Sequence, residues 1–259
     1  MKGHYFLGID VGNTHTVIGL FTRKEMVGSW RISTQTKATC HELAPLLDFW
    51  LSKAGISFNN IRGAIIASVV PPVTKIWQEL SKQYLDTSIF DAHEVATKLI
   101  KISYPRPHEI GTDRLINSIA AFSRLGGPVI VVDFGTATTF DCISKDGTYL
   151  GGAIAPGISM SIDSLFSKTS KLPLVQIDQA NLTPIGKSTE EAIRSGILFG
   201  FAGLTDRIIE VLSSNYESRP QTVATGGLAK VVFDLSERLH HLIPELTMEG
   251  LRICMMQTI

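Results

Sequence analysis

The chain has 259 residues, enough for one large domain or two of about 130, and its 44% hydrophobic and 19% charged residues support a packed core and exclude disorder. Lys plus Arg and Asp plus Glu stand at 24 each, so the formal net charge is zero; the basic surplus of a nucleic-acid binder is missing, and no such partner is expected. The longest apolar stretch, Gly63–Val70, stops at Pro71-Pro72, well short of the ~20 residues of a membrane helix, and Asp10 interrupts the apolar core that a secretion signal needs.

In chain order, Phe6–Asp10 is a short apolar run ending in an acid. Gly12-Asn13-Thr14-His15-Thr16 is a tight polar turn and Val17–Phe21 a second apolar run, which together predict a β-hairpin. A third strand is expected over Met26–Ser33. Leu43, Leu46, Leu47, Trp50 and Leu51 recur at helical spacing over Glu42–Ala54. Arg62–Val70 reads as a buried strand and Val73–Leu85 as a helix. Thr112–Leu125 is a further helix with Leu115, Ile116, Ile119 and Phe122 on one face, closed by Gly126-Gly127.

Val129–Ile143 then repeats the opening pattern: apolar strand, Asp-x-Gly, hydroxyl-rich turn, apolar strand. Superposed, the segments match Asp10 with Asp133, Gly12 with Gly135 and Thr16 with Thr139. The repeats open the two halves of the chain, which indicates a duplicated α/β architecture: halves 1–127 and 128–259, with a ligand cleft between them. Further on, Gly151–Gly157 reads as a turn. Thr189–Ser213 reads as a long helix begun by a Ser188–Glu191 capping box. Thr222–Thr225 is a strand leading into Gly226-Gly227 and another helix. Trp30, Trp50, Trp77, Met255 and Met256 are assigned to packing. Cys40, Cys142 and Cys254, odd in number and far apart, fit buried reduced thiols.

Several chemistries drop out. His41-Glu42, His93-Glu94 and His108-Glu109 lack the second histidine of a helical zinc site. Asn181–Ser188 nearly spells a phosphate-binding P-loop, but Asn181 stands where that loop needs glycine. The two acid-plus-turn units remain. Small turn residues expose backbone amides that suit phosphate, and an adjacent carboxylate holds a cation that bridges to it. That assigns Asp10, Gly12, Asn13 and Thr14, and Asp133, Gly135 and Thr136, to a nucleotide and its metal ions. Asp113 follows Gly111-Thr112 at the start of a helix, where it either caps the helix or serves as a general base, with Arg114 contacting an anionic substrate. Tyr104-Pro105-Arg106-Pro107 is stiff enough to present Tyr104 and Arg106 to a ligand, and Gly226-Gly227 would let an adenine approach the backbone.

The order Asp10–Thr14, Gly111–Arg114, Asp133–Thr139, Gly151–Gly157, Lys171–Pro173 and Gly186–Thr189 resembles that of the type III pantothenate kinases. These belong to the acetate kinase, sugar kinase, Hsp70 and actin superfamily of duplicated ribonuclease H-like domains. The resemblance implies transfer of the γ-phosphoryl group of ATP to pantothenate, the first step of coenzyme A synthesis, by a cytoplasmic homodimer using Mg²⁺ and a monovalent cation, K⁺ or NH₄⁺. It implies that Asp10, Val11, Gly12, Asn13, Thr14, His15, Thr16 and Val17 bind ATP phosphates, helped by Thr136, and that Asp133 holds the monovalent cation. Asp113 becomes the base, and Tyr104, Gly111, Thr112, Asp113, Arg114 and Thr189 line the pantothenate site. His15 and Ser188 stand where the family usually has Asn; neither change removes a carboxylate. The alternatives are another small-molecule kinase of the superfamily, acting on a sugar or an acid, and a non-enzymatic nucleotide-binding accessory protein.

Overall fold

The structure, a computed structural model, describes residues 4–168, 172–177 and 182–259. Lys171, Asn181 and the segment 178–180 lie outside the described residues. The elements run β1 (Tyr5–Val11), β2 (His15–Phe21), β3 (Met26–Ser33), α1 (Cys40–Lys53), β4 (Ile61–Ser68), α2 (Pro71–Leu80), β5 (Ile89–Asp91), α3 (Ala92–Leu99), β6 (Lys101–Ile102), α4 (Thr112–Leu125), β7 (Val129–Phe134), β8 (Ala137–Ile143), β9 (Thr148–Pro156), α5 (Ile158–Ser167), α6 (Thr189–Ser213), β10 (Gln221–Thr225), α7 (Ala229–Phe233), β11 (His241–Leu242) and α8 (Leu246–Met256). Contacts divide the chain into two compact units: Met1–Lys101, Arg106–Ala120 and Thr247–Ile259 form the first, Ile102–Pro105 and Ala121–Leu246 the second. The division departs from a cut at residue 127, because the C-terminal residues return to the first unit.

In the first unit the strand order is β3-β2-β1-β4-β5. The β3-β2-β1 ribbon is antiparallel, while β4 joins β1, and β5 joins β4, in parallel. One face carries Leu7, Ile9, Val11, Ile18, Leu20 and Ile66 against Leu47 and Leu51 of α1 and Trp77 and Leu80 of α2. On the other face, a Cβ added to Gly8, Gly19 or Gly63 would meet Leu251, Met248 or Met255 of α8. The glycines floor a bed for that helix, which is why the tail buries Leu251, Cys254 and Met255 completely. Burial pushes the Cys254 thiol up to about 12, so it is inert as a nucleophile. The expected helix over Val73–Leu85 ends its α-helical part at Leu80, and Ser81–Leu85 forms a π turn closed by Asp86 at φ 48°.

The second unit repeats the plan with β9-β8-β7 antiparallel and β10, then β11, parallel beyond β7; β6 adds an edge next to β9. Ile130, Val132, Phe140 and Ala224 pack against Ile158 and Ile162 of α5, Ile197, Phe201 and Ile209 of α6, and Val232 of α7. Gly151–Gly157 is not a turn. Gly151 to Pro156 lies in β9, whose pairing shifts register near Tyr149 and Gly151, and Gly157 begins α5. The glycines misled because they read as punctuation; Gly152 is required by the β8 backbone, since a Cβ there would overlap the Phe140 carbonyl. Ser188 does cap α6, its hydroxyl accepting from the Glu191 N–H at 3.2 Å, but the Glu191 carboxylate accepts from the Lys187 N–H at 2.7 Å. The reciprocal arm of the expected box has slipped by one residue. Cys40, Cys142 and Cys254 are buried and form no disulfide.

Candidate active site

In the first unit the turn between β1 and β2 is closed by the Gly12 N–H donating to the His15 carbonyl at 2.9 Å. Asn13, Thr14 and His15 are exposed, and Asp10 and Gly12 are half-buried. Val11 and Thr16 are buried, and the Thr16 hydroxyl is engaged by Thr34 at 3.0 Å, so these two belong to the support of the turn and not to its open surface. Val17 is the register partner of Asp10.

Along the same edge of that sheet, Ser68 is the register partner of Val11, and the Val69 N–H donates to the Val11 carbonyl at 3.1 Å. Ser68 and Val69 open a cavity of about 380 Å³ lined also by Thr74, Asp91, His93, His108, Glu109, Gly111 and Thr112. The β1–β2 turn and the Gly111-Thr112 motif are therefore one strand apart. Thr112 is buried, with its hydroxyl 3.4 Å from His93 Nδ1.

Asp113 follows in the first turn of α4, whose start is marked by the Leu115 N–H reaching the Gly111 carbonyl at 3.3 Å. Its Oδ1 accepts the Arg114 N–H at 2.9 Å, while Oδ2 accepts from no group among the described residues. A side chain at Gly111 would collide with Oδ1. Glycine is thus what leaves the carboxylate its place. One oxygen is oriented by the backbone and the other is available to a ligand.

Tyr104, Asp133, Thr136 and Thr189 belong to the second unit. Its turn is tighter, closed by the Gly135 N–H to the Ala137 carbonyl at 3.1 Å, with Thr136 exposed. Asp133, half-buried, is the last residue but one of β7 and lies beside Thr225 of β10. The chain then passes over it at Gly226, φ +96°, where a Cβ would strike Asp133 Oδ1 and the Phe134 backbone. A second glycine, Gly157, lies against the Thr136 and Gly135 carbonyls with no room for a Cβ. Tyr104 is exposed near Gly151 of β9, and Thr189 is the exposed first residue of α6.

The pairing corrects the sequence superposition by one residue. Thr16 pairs with Val11 and Thr138 with Phe134, so the counterpart of Thr16 is Thr138 and not Thr139. Sequence reasoning also passed over Ser68 and Thr34, and weighed His93 only as part of a zinc motif that it rejected. The position of Ser68, at a strand end just before Pro71-Pro72, was a usable signal; His93 and Thr34 carried none.

The carboxylates suit hard cations, which prefer oxygen donors. Among the described residues no group of three or more His, Cys, Asp or Glu side chains converges to hold a metal by itself. A cation held by Asp10 or Asp133 would have to complete its oxygen shell with waters, backbone oxygens or phosphates.

The type III pantothenate kinase family model matches residues 6–211. Proteins named type III pantothenate kinase from Syntrophotalea carbinolica and Desulfosudis oleivorans are each 43% identical over 247 residues, 95% of this chain and 96% and 97% of theirs. Among solved structures, a Campylobacter jejuni protein named for the Baf family of transcriptional activators gives a TM-score of 0.60 at 19% identity, covering 97% of this chain and 98% of that one. Component A of (R)-2-hydroxyglutaryl-CoA dehydratase from Acidaminococcus fermentans gives 0.52 at 14%, over 98% and 96%. At these identities the structural likenesses speak for the fold alone: duplicated ribonuclease H-like units of the actin-like ATPase type.

Proposed function

The chain belongs to the type III pantothenate kinase family, and on that premise we propose how its own residues divide the work of phosphorylating pantothenate with ATP. The observation that carries the assignment is the half-satisfied carboxylate of Asp113 next to the cavity at Gly111-Thr112. The turn Val11–Val17, with Thr136, receives the ATP phosphates, the exposed amides over Asn13–His15 doing most of it, Val11, Thr16 and Val17 bracing them and Asp10 reaching the phosphates only through a cation. Tyr104, Gly111, Thr112, Arg114 and Thr189 hold pantothenate. Asp113 Oδ2 accepts the proton of the attacking alcohol as charge develops, while the Arg114 N–H keeps Oδ1 in place. General bases of this kind contribute typically ~10²–10⁴-fold. Asp10 would hold Mg²⁺ and Asp133 would hold K⁺ or NH₄⁺; when bound, these ions offset the charge of the triphosphate.

We also assign the protein to the cytoplasm, where ATP and pantothenate meet, and to a homodimer. Support for the dimer comes from apolar side chains left exposed on the second unit: Ile154, Met160, Phe166, Leu174, Ile185 and Phe199. Full activity of a monomer at micromolar concentration contradicts that assembly. The kinase reading is tested by ATP-dependent phosphorylation of pantothenate, a panel of sugars, and acetate, each in K⁺ and in Na⁺. Turnover of pantothenate alone, faster in K⁺ than in Na⁺, is expected. A sugar or acetate as the preferred acceptor points to the other kinase reading, ATP binding with no turnover to the accessory-protein reading, and indifference to the cation removes the role of Asp133.

A further inference from the structure

The first residue after β3 is Thr34, and both its N–H and its hydroxyl bond to the turn between β1 and β2. β3 runs antiparallel to β2 with Ser33 opposite His15, so Thr34 is delivered alongside the turn. Its N–H donates to the Thr14 carbonyl at 2.9 Å. Its hydroxyl donates to the Gly12 carbonyl at 2.7 Å. Thr16 Oγ1 lies 3.0 Å from Thr34 Oγ1, and because the single hydroxyl hydrogen of Thr34 is spent on Gly12, Thr16 is the donor of that pair. The result is a relay, Thr16 O–H to Thr34 O–H to Gly12 C=O, in which each bond polarises the next.

The geometry points to Thr34 as a positioning residue for the nucleotide phosphates: we propose that it aims the turn amides by holding the turn carbonyls. A trans peptide is planar, with its C=O and N–H directed oppositely. The Gly12 carbonyl shares its peptide with the Asn13 N–H, and the Thr14 carbonyl shares its peptide with the His15 N–H. Holding both carbonyls on Thr34 therefore turns both amides away from it. Of these two, the Asn13 N–H donates to no protein acceptor among the described residues. A rotated Gly12–Asn13 peptide would set a carbonyl oxygen where an amide is wanted and repel a phosphate. Gly12 has the conformational freedom for that rotation, and the Thr34 hydroxyl opposes it.

The inference rests on the reading of the turn as an ATP-phosphate site, and the tests separate the two. Thr34→Val removes the hydroxyl and keeps the backbone N–H. The expected result is a KM for ATP raised about five- to tenfold, the size of one neutral hydrogen bond, with the KM for pantothenate unchanged. Thr34→Ser, which restores the hydroxyl, should return the KM for ATP to within twofold of native. A merely structural role would lower the melting temperature and leave the KM for ATP where it was. If the Val variant fails to fold, titration of ¹⁵N-labelled native protein with ADP and Mg²⁺ decides: the Asn13 amide must shift saturably, and an unmoved Asn13 amide overturns the proposal. Native protein that neither binds ATP nor phosphorylates pantothenate overturns the kinase reading. Native activity together with a Thr34→Val KM for ATP within twofold of native overturns this inference alone.

Discussion

The two β-hairpin turns share an acid, a glycine and a strand order, yet they are held in different ways. The first is wide, closed from Gly12 to His15, and side-chain hydroxyls on Thr34 and Thr16 brace it. The second is closed one residue earlier, from Gly135 to Ala137, and backbone brought close at Gly157 and Gly226 buttresses it. The counterpart of Thr16 is equally buried, but the Thr138 hydroxyl has no hydrogen-bond partner among the described residues. Further along the same strands, Gly19 of β2 corresponds to Asp141 of β8. Gly19 makes room for Met248 of α8, whereas Asp141 is fully buried and accepts the Tyr149 hydroxyl at 2.8 Å. Duplication preserved the path of the chain and left each copy to find its own supports. A turn held by hydroxyls can be tuned by single substitutions; a turn held by excluded Cβ atoms tolerates almost none.

That contrast has measurable consequences. The largest is expected at Gly157→Ala, where the new Cβ overlaps the backbone carbonyls of Thr136 and Gly135. Urea denaturation should show a loss of about 3 kcal/mol, at the upper end for overpacking. Gly12→Ala, by contrast, should stay within about 1 kcal/mol of native, because its Cβ would stand 3.2 Å from the His15 carbonyl and only a small shift is needed. Equal losses at the two glycines would erase the distinction between the turns. Next comes Tyr149→Phe, which removes one hydroxyl donor from buried Asp141; a loss of about 1–2 kcal/mol is expected for an acceptor left unsatisfied in the core. An unchanged stability would mean that Asp141 has no more need of its partner than Gly19 has.

The smallest effect is expected at the cap of α1. The Glu42 carboxylate accepts the Thr39 N–H at 2.7 Å at the start of α1, and this bond, followed by that from the Thr39 hydroxyl, lowers its pKa. A lowered folded-state pKa gives stability present above the unfolded value, about 4.3 for Glu, and lost as pH falls through the folded one. Native protein and Glu42→Gln should therefore differ in melting temperature at neutral pH and converge in acid. A constant difference across that range would remove the ionic part of the cap.

The strand–acid–turn–strand units were legible because their pattern is local: Asp10 and Asp133 end apolar runs, and Gly12 and Gly135 follow two residues on. The register of the repeat was not. Both segments contain the same number of letters, and only the hydrogen bonds reveal that one turn closes a residue sooner. β9 was hidden by the very glycines that close approach to β8 demands. α8 could have been found from Met248, Leu251 and Met255 at helical spacing, but its destination depends on Gly8, Gly19 and Gly63, which are far from it in the chain. The site residues at Gly111–Arg114 were visible as a motif, while Ser68 and His93 enter the same cavity only through the packing of β4 and α3. Thr34 acts through where β3 sets it down, a fact of the sheet and not of the residue.

The carboxylate of Asp113 is either a helix-capping group or the base. Asn at that position is nearly isosteric and still caps a helix, so Asp113→Asn should fold as native and lose at most ~1 kcal/mol of stability. The direct measurement is kcat at saturating ATP and pantothenate, with ATP affinity determined separately because removing a negative charge near the triphosphate can tighten it. The base predicts kcat lower by ~10²-fold or more with nucleotide binding retained. A kcat within about threefold of native would contradict it, leave Asp113 as a cap, and move the search for the base to Asp10.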